Sequence, residues 1–195
     1  MWLFFIPFLS SAIVSFIPLS LNGLKRLSCG LSLMPLLMLI GLDPRSWVGE
    51  RVSYSWIPSL SIDFSLKIDS LALLFLFLTA IIIPLTLFYT KSKSIPVPKT
   101  FFSLVLLLEA LLIGFFTAKD LVLFTVFWEA MLFPLYFLIT MWGGERRLQT
   151  AIRFLVYMIA GSCLMIAAVL SLYLASFAQG IGTFDFDLLI KTAES

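Results

Sequence analysis

Glu109 and Glu129 are the only charged side chains well inside long apolar runs of this sequence, LVLLLEALLIGFF and LVLFTVFWEAMLFPLY. An ionised group at the centre of a membrane-spanning helix costs about 2.5 to 3.5 kcal/mol on insertion scales, so a partner or a use must offset it. Low dielectric favours the neutral acid, and a nearby cation favours the charged carboxylate. A carboxyl at such a depth therefore changes state when a cation moves near or far, as a proton carrier requires. Glu129 is read as a proton relay and Glu109 as a second candidate relay. The competing reading makes each a protonated carboxyl that hydrogen-bonds a neighbouring helix and serves packing alone.

The spacing puts the two acids at one depth. At about 1.5 Å per residue, Glu109 lies roughly 15 Å before Lys119, and Glu129 roughly 14 Å after Asp120. In an antiparallel pair of helices turning at Lys119–Asp120, both fall near the midplane; spacing alone leaves open whether they face each other. Pro134 cannot donate to the carbonyl of Ala130, so a kink is expected beside Glu129, with a carbonyl left free for water.

The elements that must hold these acids follow from the composition. The chain is 61% hydrophobic and only 12% charged, with mean hydropathy +1.09. Soluble domains run nearer half apolar and a quarter charged, so the solvent of this fold is a bilayer. A net charge of +2, with basic residues in short clusters between apolar runs, argues for topology and against nucleic acid. With no histidine, His-ligated haem, His-containing zinc sites and Ser-His-Asp catalysis are excluded. Cys29 and Cys163 show no ligand spacing and read as free thiols, so no metal or cofactor site is expected in this chain.

Runs long enough to cross about 30 Å of hydrocarbon suggest an all-α polytopic membrane protein of about six transmembrane helices. They cover Trp2–Leu21, Leu27–Leu42, Leu71–Thr90, Phe101–Ala118, Leu121–Trp142 and Ala151–Ala178. The first lacks a basic start and a cleavage pattern, and reads as a retained helix rather than a signal peptide. Between helices two and three, Leu60, Ile62, Phe64, Leu66 and Ile68 alternate with polar residues, as Val52, Tyr54 and Trp56 do before Pro58-Ser59. Period two predicts a short external β-hairpin. The expected organisation is thus 1–42 for helices one and two and 43–69 for the hairpin loop. Residues 70–178 form a proton-handling half-module of helices three to six, and 179–195 an external polar tail. Lys25, Arg26, Lys91, Lys93, Lys99, Arg146, Arg147 and Arg153 fall on one side; Arg45, Arg51, Lys67, Lys119 and Lys191 fall on the other. The richer side is expected in the cytoplasm and the N-terminus outside. Gly143-Gly144-Glu145-Arg146-Arg147 reads as a cytoplasmic turn with topology charges, in which Glu145 and Arg146 could also dock a partner. Trp128 reads as packing.

The run from Leu106 to Arg147, above all FWEAMLFPLYFLI followed by WGGERR, resembles the antiporter-like subunit M, or subunit 4, of respiratory NADH-quinone oxidoreductase, complex I. WIPSLSIDFSLKIDSLALLF, Trp56 to Phe75, is similar to that family's external hairpin and third helix. The resemblance implies an integral subunit of a bacterial or mitochondrial inner membrane that moves protons while partner subunits pass electrons. NADH, flavin, iron-sulfur clusters and quinone then belong to the partners or the whole complex. By this resemblance Glu129 matches the family's coupling glutamate in helix five, and Glu109 a position where related sequences often carry a glutamate. Family members are longer, and their later helices carry the lysines that complete the proton path. No such lysine lies in a predicted span here. A second chain supplying the missing helices, or a truncated non-catalytic remnant, is the corresponding expectation. A subunit of a multi-subunit cation/proton antiporter or membrane-bound hydrogenase is the rival reading.

Overall fold

Helix boundaries are set by a few residues with defined chemistry. The computed structural model describes residues 2–41, 48–49, 51–90 and 96–193. Helix α1 spans Trp2–Phe16 and α2 Leu21–Gly41. Strands β1, Arg51–Ile57, and β2, Ile62–Lys67, form the hairpin. Helices α3, Ser70–Tyr89, α4, Pro98–Thr117, α5, Leu121–Trp142, and α6, Arg147–Ala178, follow, and a short α7, Phe186–Ala193, is the last described element. Asp69 caps α3 by accepting from the Ala72 amide at 2.7 Å, and Asp120 caps α5 by accepting from Val122 and Leu123 at 2.8 and 3.1 Å. Each satisfies amides that a helix start leaves orphaned. Pro98 occupies the first turn of α4, where its missing N–H costs nothing.

Among the described residues five helices, α2 to α6, are long and apolar enough to cross a membrane, and α1 is a shorter apolar helix. The expected first span to Leu21 stops at Phe16 because Pro18 disfavours helical backbone at the residue before it. At 15 residues α1 is about 22 Å long, less than the hydrocarbon thickness. Helix α2 starts at Leu21, not Leu27, so Lys25 and Arg26 ride on it. Charge marks where the apolar run begins, but lysine and arginine are good helix formers and do not stop the helix. Lys25 Nζ reaches across to donate to the carbonyls of Phe88 and Thr90 at 2.6 and 2.7 Å, satisfying the end of α3. Helix α6 begins at Arg147 for the same reason.

Packing centres on α4, which touches α1, α2, α3 and α5. Ser15 Oγ donates to Ser103 Oγ at 2.8 Å, and Ser103 Oγ donates to the Ser11 carbonyl at 2.8 Å, pinning α1 to α4. Polar contacts of this type hold helices together where lipid offers no hydrophobic drive. Helix α2 buries Leu24, Ser28, Ser32, Pro35 and Leu39, one stripe of period near 3.6. Helix α6 packs on α5 through a narrow line including Ala151, Ser162 and Val169, and leaves most of its apolar surface exposed.

The hairpin follows the alternation. Tyr54 pairs with Phe64 and Ser55 with Asp63, and the register shifts between Ser55 and Ile57, leaving Trp56 as the extra residue. A 3-10 turn, Pro58–Leu60, closes it, with Ser61 in the left-handed region at φ 54°. Ile62, Leu66 and Ile68 are buried, whereas Tyr54, Trp56 and Leu60 are exposed. The start of the expected hairpin loop from Asp43, with Arg45, lies outside the described residues, as do Lys91 and Lys93. The segment after α6 does more than leave the bundle. It returns as backbone against the α4–α5 connection: Leu121 N donates to the Phe184 carbonyl at 2.9 Å, and Phe186 N to that of Lys119 at 3.0 Å. Lys119 N donates in turn to Ser65 of β2 at 2.9 Å.

Candidate functional site

Glu109 and Glu129 stand at matched positions in an antiparallel helix pair. Thr117 ends α4 and Leu121 begins α5, so each acid lies eight residues, or about 12 Å, from the connection. The pair is close: a Cβ built on Gly114 would lie 2.5 Å from the Phe127 ring, so only glycine lets α4 approach α5 here. Phe115 of α4 meets Phe124 and Trp128 of α5 at ring distances of 4.5 and 5.6 Å, and Trp128 serves packing as expected.

Glu109 is fully buried, and among the described residues neither carboxylate oxygen has a hydrogen-bond partner. Glu129 is half-buried, and its Oε1 is buried without a partner. No hydrogen bond joins the two acids, and among the described residues no ion pair includes either. Pro134 is buried in α5, whose helix runs unbroken past it from Leu121 to Trp142. By its chemistry it leaves the Ala130 carbonyl without the usual amide partner.

Three of the described cations pair with carboxylates at the rim. Lys119 Nζ binds Asp69 at 2.7 Å, Lys67 Nζ binds Asp187 at 2.9 Å, and Arg51 binds Asp185. Burial pushes the Asp69 carboxyl up, but its hydrogen bonds from Lys119 and Ala72 outweigh this and hold it below the usual range. The Lys67 hydrogen bond holds Asp187 low as well. Asp120, accepting also from the Asp63 amide at 3.3 Å, is shifted the other way because burial outweighs its amide donors. This ionic rim was not anticipated. An Asp directly before an apolar run, as at Asp69 and Asp120, is the local signal of the two caps; the pairings to Asp185 and Asp187 have none.

Residues 118–195 match the family model described as NADH:quinone oxidoreductase/Mrp antiporter, TM. Over 139 residues the sequence is 36% identical to F(420)H(2) dehydrogenase subunit M of Methanosarcina mazei, covering 71% of this chain and 28% of that protein. It is 37% identical over 161 residues to NADH-quinone oxidoreductase subunit M of Rhodobacter capsulatus, covering 79% of this chain and 30% of that protein. Residues 118–195 belong to this antiporter-like family. A chain of respiratory complex I from Thermus thermophilus with bound NADH has the family fold, with TM-score 0.82 at 27% identity over 97% of this chain and 38% of that one. The chain therefore spans less than a third of the length of these curated relatives. The family match begins at the α4–α5 connection and takes in Glu129 and Pro134, while Glu109 precedes it. The recognised motif, the helical membrane fold and the two-stranded hairpin all agree with family membership.

Proposed function

We propose that this chain is a membrane-arm element of an NADH-quinone oxidoreductase of the complex I type, and that it takes part in proton translocation coupled to electron transfer from NADH to quinone. The observation that carries the reading is the matched depth of Glu109 and Glu129 on α4 and α5, with Glu109 fully buried and, among the described residues, without a partner. A buried carboxyl free of a fixed partner is placed to exchange a proton when a cation approaches. Glu129 is the coupling relay in this reading and Glu109 the second station, with Pro134 freeing a carbonyl for water beside Glu129. The approaching cation belongs to helices of another chain or segment, because the described spans hold no lysine facing these acids. Redox groups sit on partner subunits.

The chain is an integral membrane protein, and we assign its N-terminus to the outside of a bacterial or mitochondrial inner membrane. Supporting this, Lys25 with the end of α3, and Trp142 with Pro96, cluster at one end, while Arg51, Lys67 and Lys119 gather at the other. The test is Glu129→Gln in the intact complex. Pumping should be lost while the complex still assembles; normal pumping in that variant would overturn the assignment. Since the family description also names the Mrp antiporter, a cation/proton antiporter subunit is the second reading. Co-purification with antiporter subunits rather than oxidoreductase subunits would select it.

A further inference from the structure

The Gly143–Arg147 turn frames a cavity that proton transfer leaves unused. About 390 Å³ in volume, it lies between the end of α5 and the start of α6. Leu135, Leu138 and Ile139 line its depth, and Trp142, Arg146 and Arg147 stand at its mouth. The turn keeps the mouth open for a steric reason. Gly143 N donates to the Ile139 carbonyl at 2.9 Å, and a Cβ on Gly143 would lie 2.3 Å from that oxygen, so no side chain can stand there. Gly144 adds none either.

The charges at the mouth are available. Arg147 Nη1 is tied to the Met141 carbonyl at 3.0 Å. The Arg146 guanidinium is exposed and, among the described residues, has no hydrogen bond or ion pair. Helix α6 opens at the same place with no side-chain cap, adding the positive end of a 32-residue helix. Trp142 anchors this level as an interfacial aromatic, its Nε1 donating to the Pro96 carbonyl at 2.9 Å.

An apolar wall at membrane depth under two cations at the surface matches an amphiphile with an anionic head. Free phosphate would leave the leucine and isoleucine wall bare, and a zwitterionic lipid would leave the arginines without a net counter-charge. We propose that this groove binds one anionic phospholipid, with its phosphodiester on Arg146 and Arg147 and an acyl chain along Leu135, Leu138 and Ile139.

The test is native mass spectrometry of the full chain released from phosphatidylcholine vesicles doped with phosphatidylglycerol. The wild type should carry phosphatidylglycerol in preference to phosphatidylcholine. The double variant R146A/R147A should retain about 25-fold less, at roughly fivefold per surface arginine. The double variant R146K/R147K should keep most of it, since lysine binds phosphate as a point charge. L138W should lose the lipid by filling the wall with no change of charge. If the double-alanine variant does not fold, the lysine and tryptophan variants decide. Equal retention of both lipids, unchanged retention in R146A/R147A or L138W, or displacement by excess inorganic phosphate would overturn the proposal.

Discussion

Gly114→Ala is the sharpest test of how tightly the two acid-bearing helices are held. The added methyl would meet three Phe127 ring atoms at 2.5, 2.6 and 2.9 Å, where ordinary contact begins at 3.4 Å. The ring must retreat by roughly 1 Å, a shift that overpacked interiors resist. It has little room, being 5% exposed and edge-on to Phe4 at 5.3 Å and Phe64 at 6.4 Å. Overpacking of this kind costs about 1–3 kcal/mol, and the better helix propensity of alanine returns up to about 1 kcal/mol. The net expectation is a destabilisation of about 1 kcal/mol. Phe127→Leu removes the atoms that clash, so the double variant should be more stable than the two single changes predict, with a coupling of about 1 kcal/mol or more. Reversible unfolding in mixed detergent micelles, followed through tryptophan fluorescence, measures all four proteins. A Gly114→Ala protein as stable as the wild type, with no coupling to Phe127→Leu, would refute the close approach of α4 and α5 and with it the matched setting of Glu109 and Glu129.

Two further outcomes test the ends of the bundle. Asp187 and Asp69 have carboxyls held below their ordinary range by Lys67 and Lys119. Their stabilisation is therefore complete above the ordinary aspartate value of about 4 and is lost as pH falls through the lowered folded values. A nitroxide at exposed Ile190 should accordingly be restrained at neutral pH and become mobile only in strong acid, whereas Lys67→Met should free it at neutral pH; identical spectra in all three conditions would refute the ionic hold on α7. Lys25→Met removes two charge-assisted hydrogen bonds to the end of α3 and should cost about 1–3 kcal/mol in the micelle assay, with unchanged stability as the contrary result.

Much of the architecture was legible because local rules determine it. Leu121–Trp142 was readable to the residue, since Asp120 starts the helix and Gly143 ends it. The hairpin was readable because period two survives in a segment that must bury Ile62, Leu66 and Ile68 on one face. Charge misled at α2 and α6, where Lys25, Arg26 and Arg147 belong to helices that extend past the apolar run. The depth of Glu109 and Glu129 followed from counting residues to the Lys119–Asp120 turn. Their lack of partners did not, because hydrogen bonding depends on how neighbouring helices rotate, and the weak amphipathicity of lipid-facing helices leaves that rotation unmarked. The pairings of Arg51 with Asp185 and of Lys67 with Asp187 had no signal at all, as each joins residues more than a hundred positions apart.

That separation has a consequence for biogenesis. The hairpin emerges early in synthesis and the α4–α5 connection midway, yet the backbone that completes their rim, Thr183 to Phe186, comes only after α6. Contacts of such long range must wait for loop closure by everything between them. During synthesis the connection above Glu109 and Glu129 therefore stays open to water on one side while the helices insert. It is sealed only by the segment that follows α6.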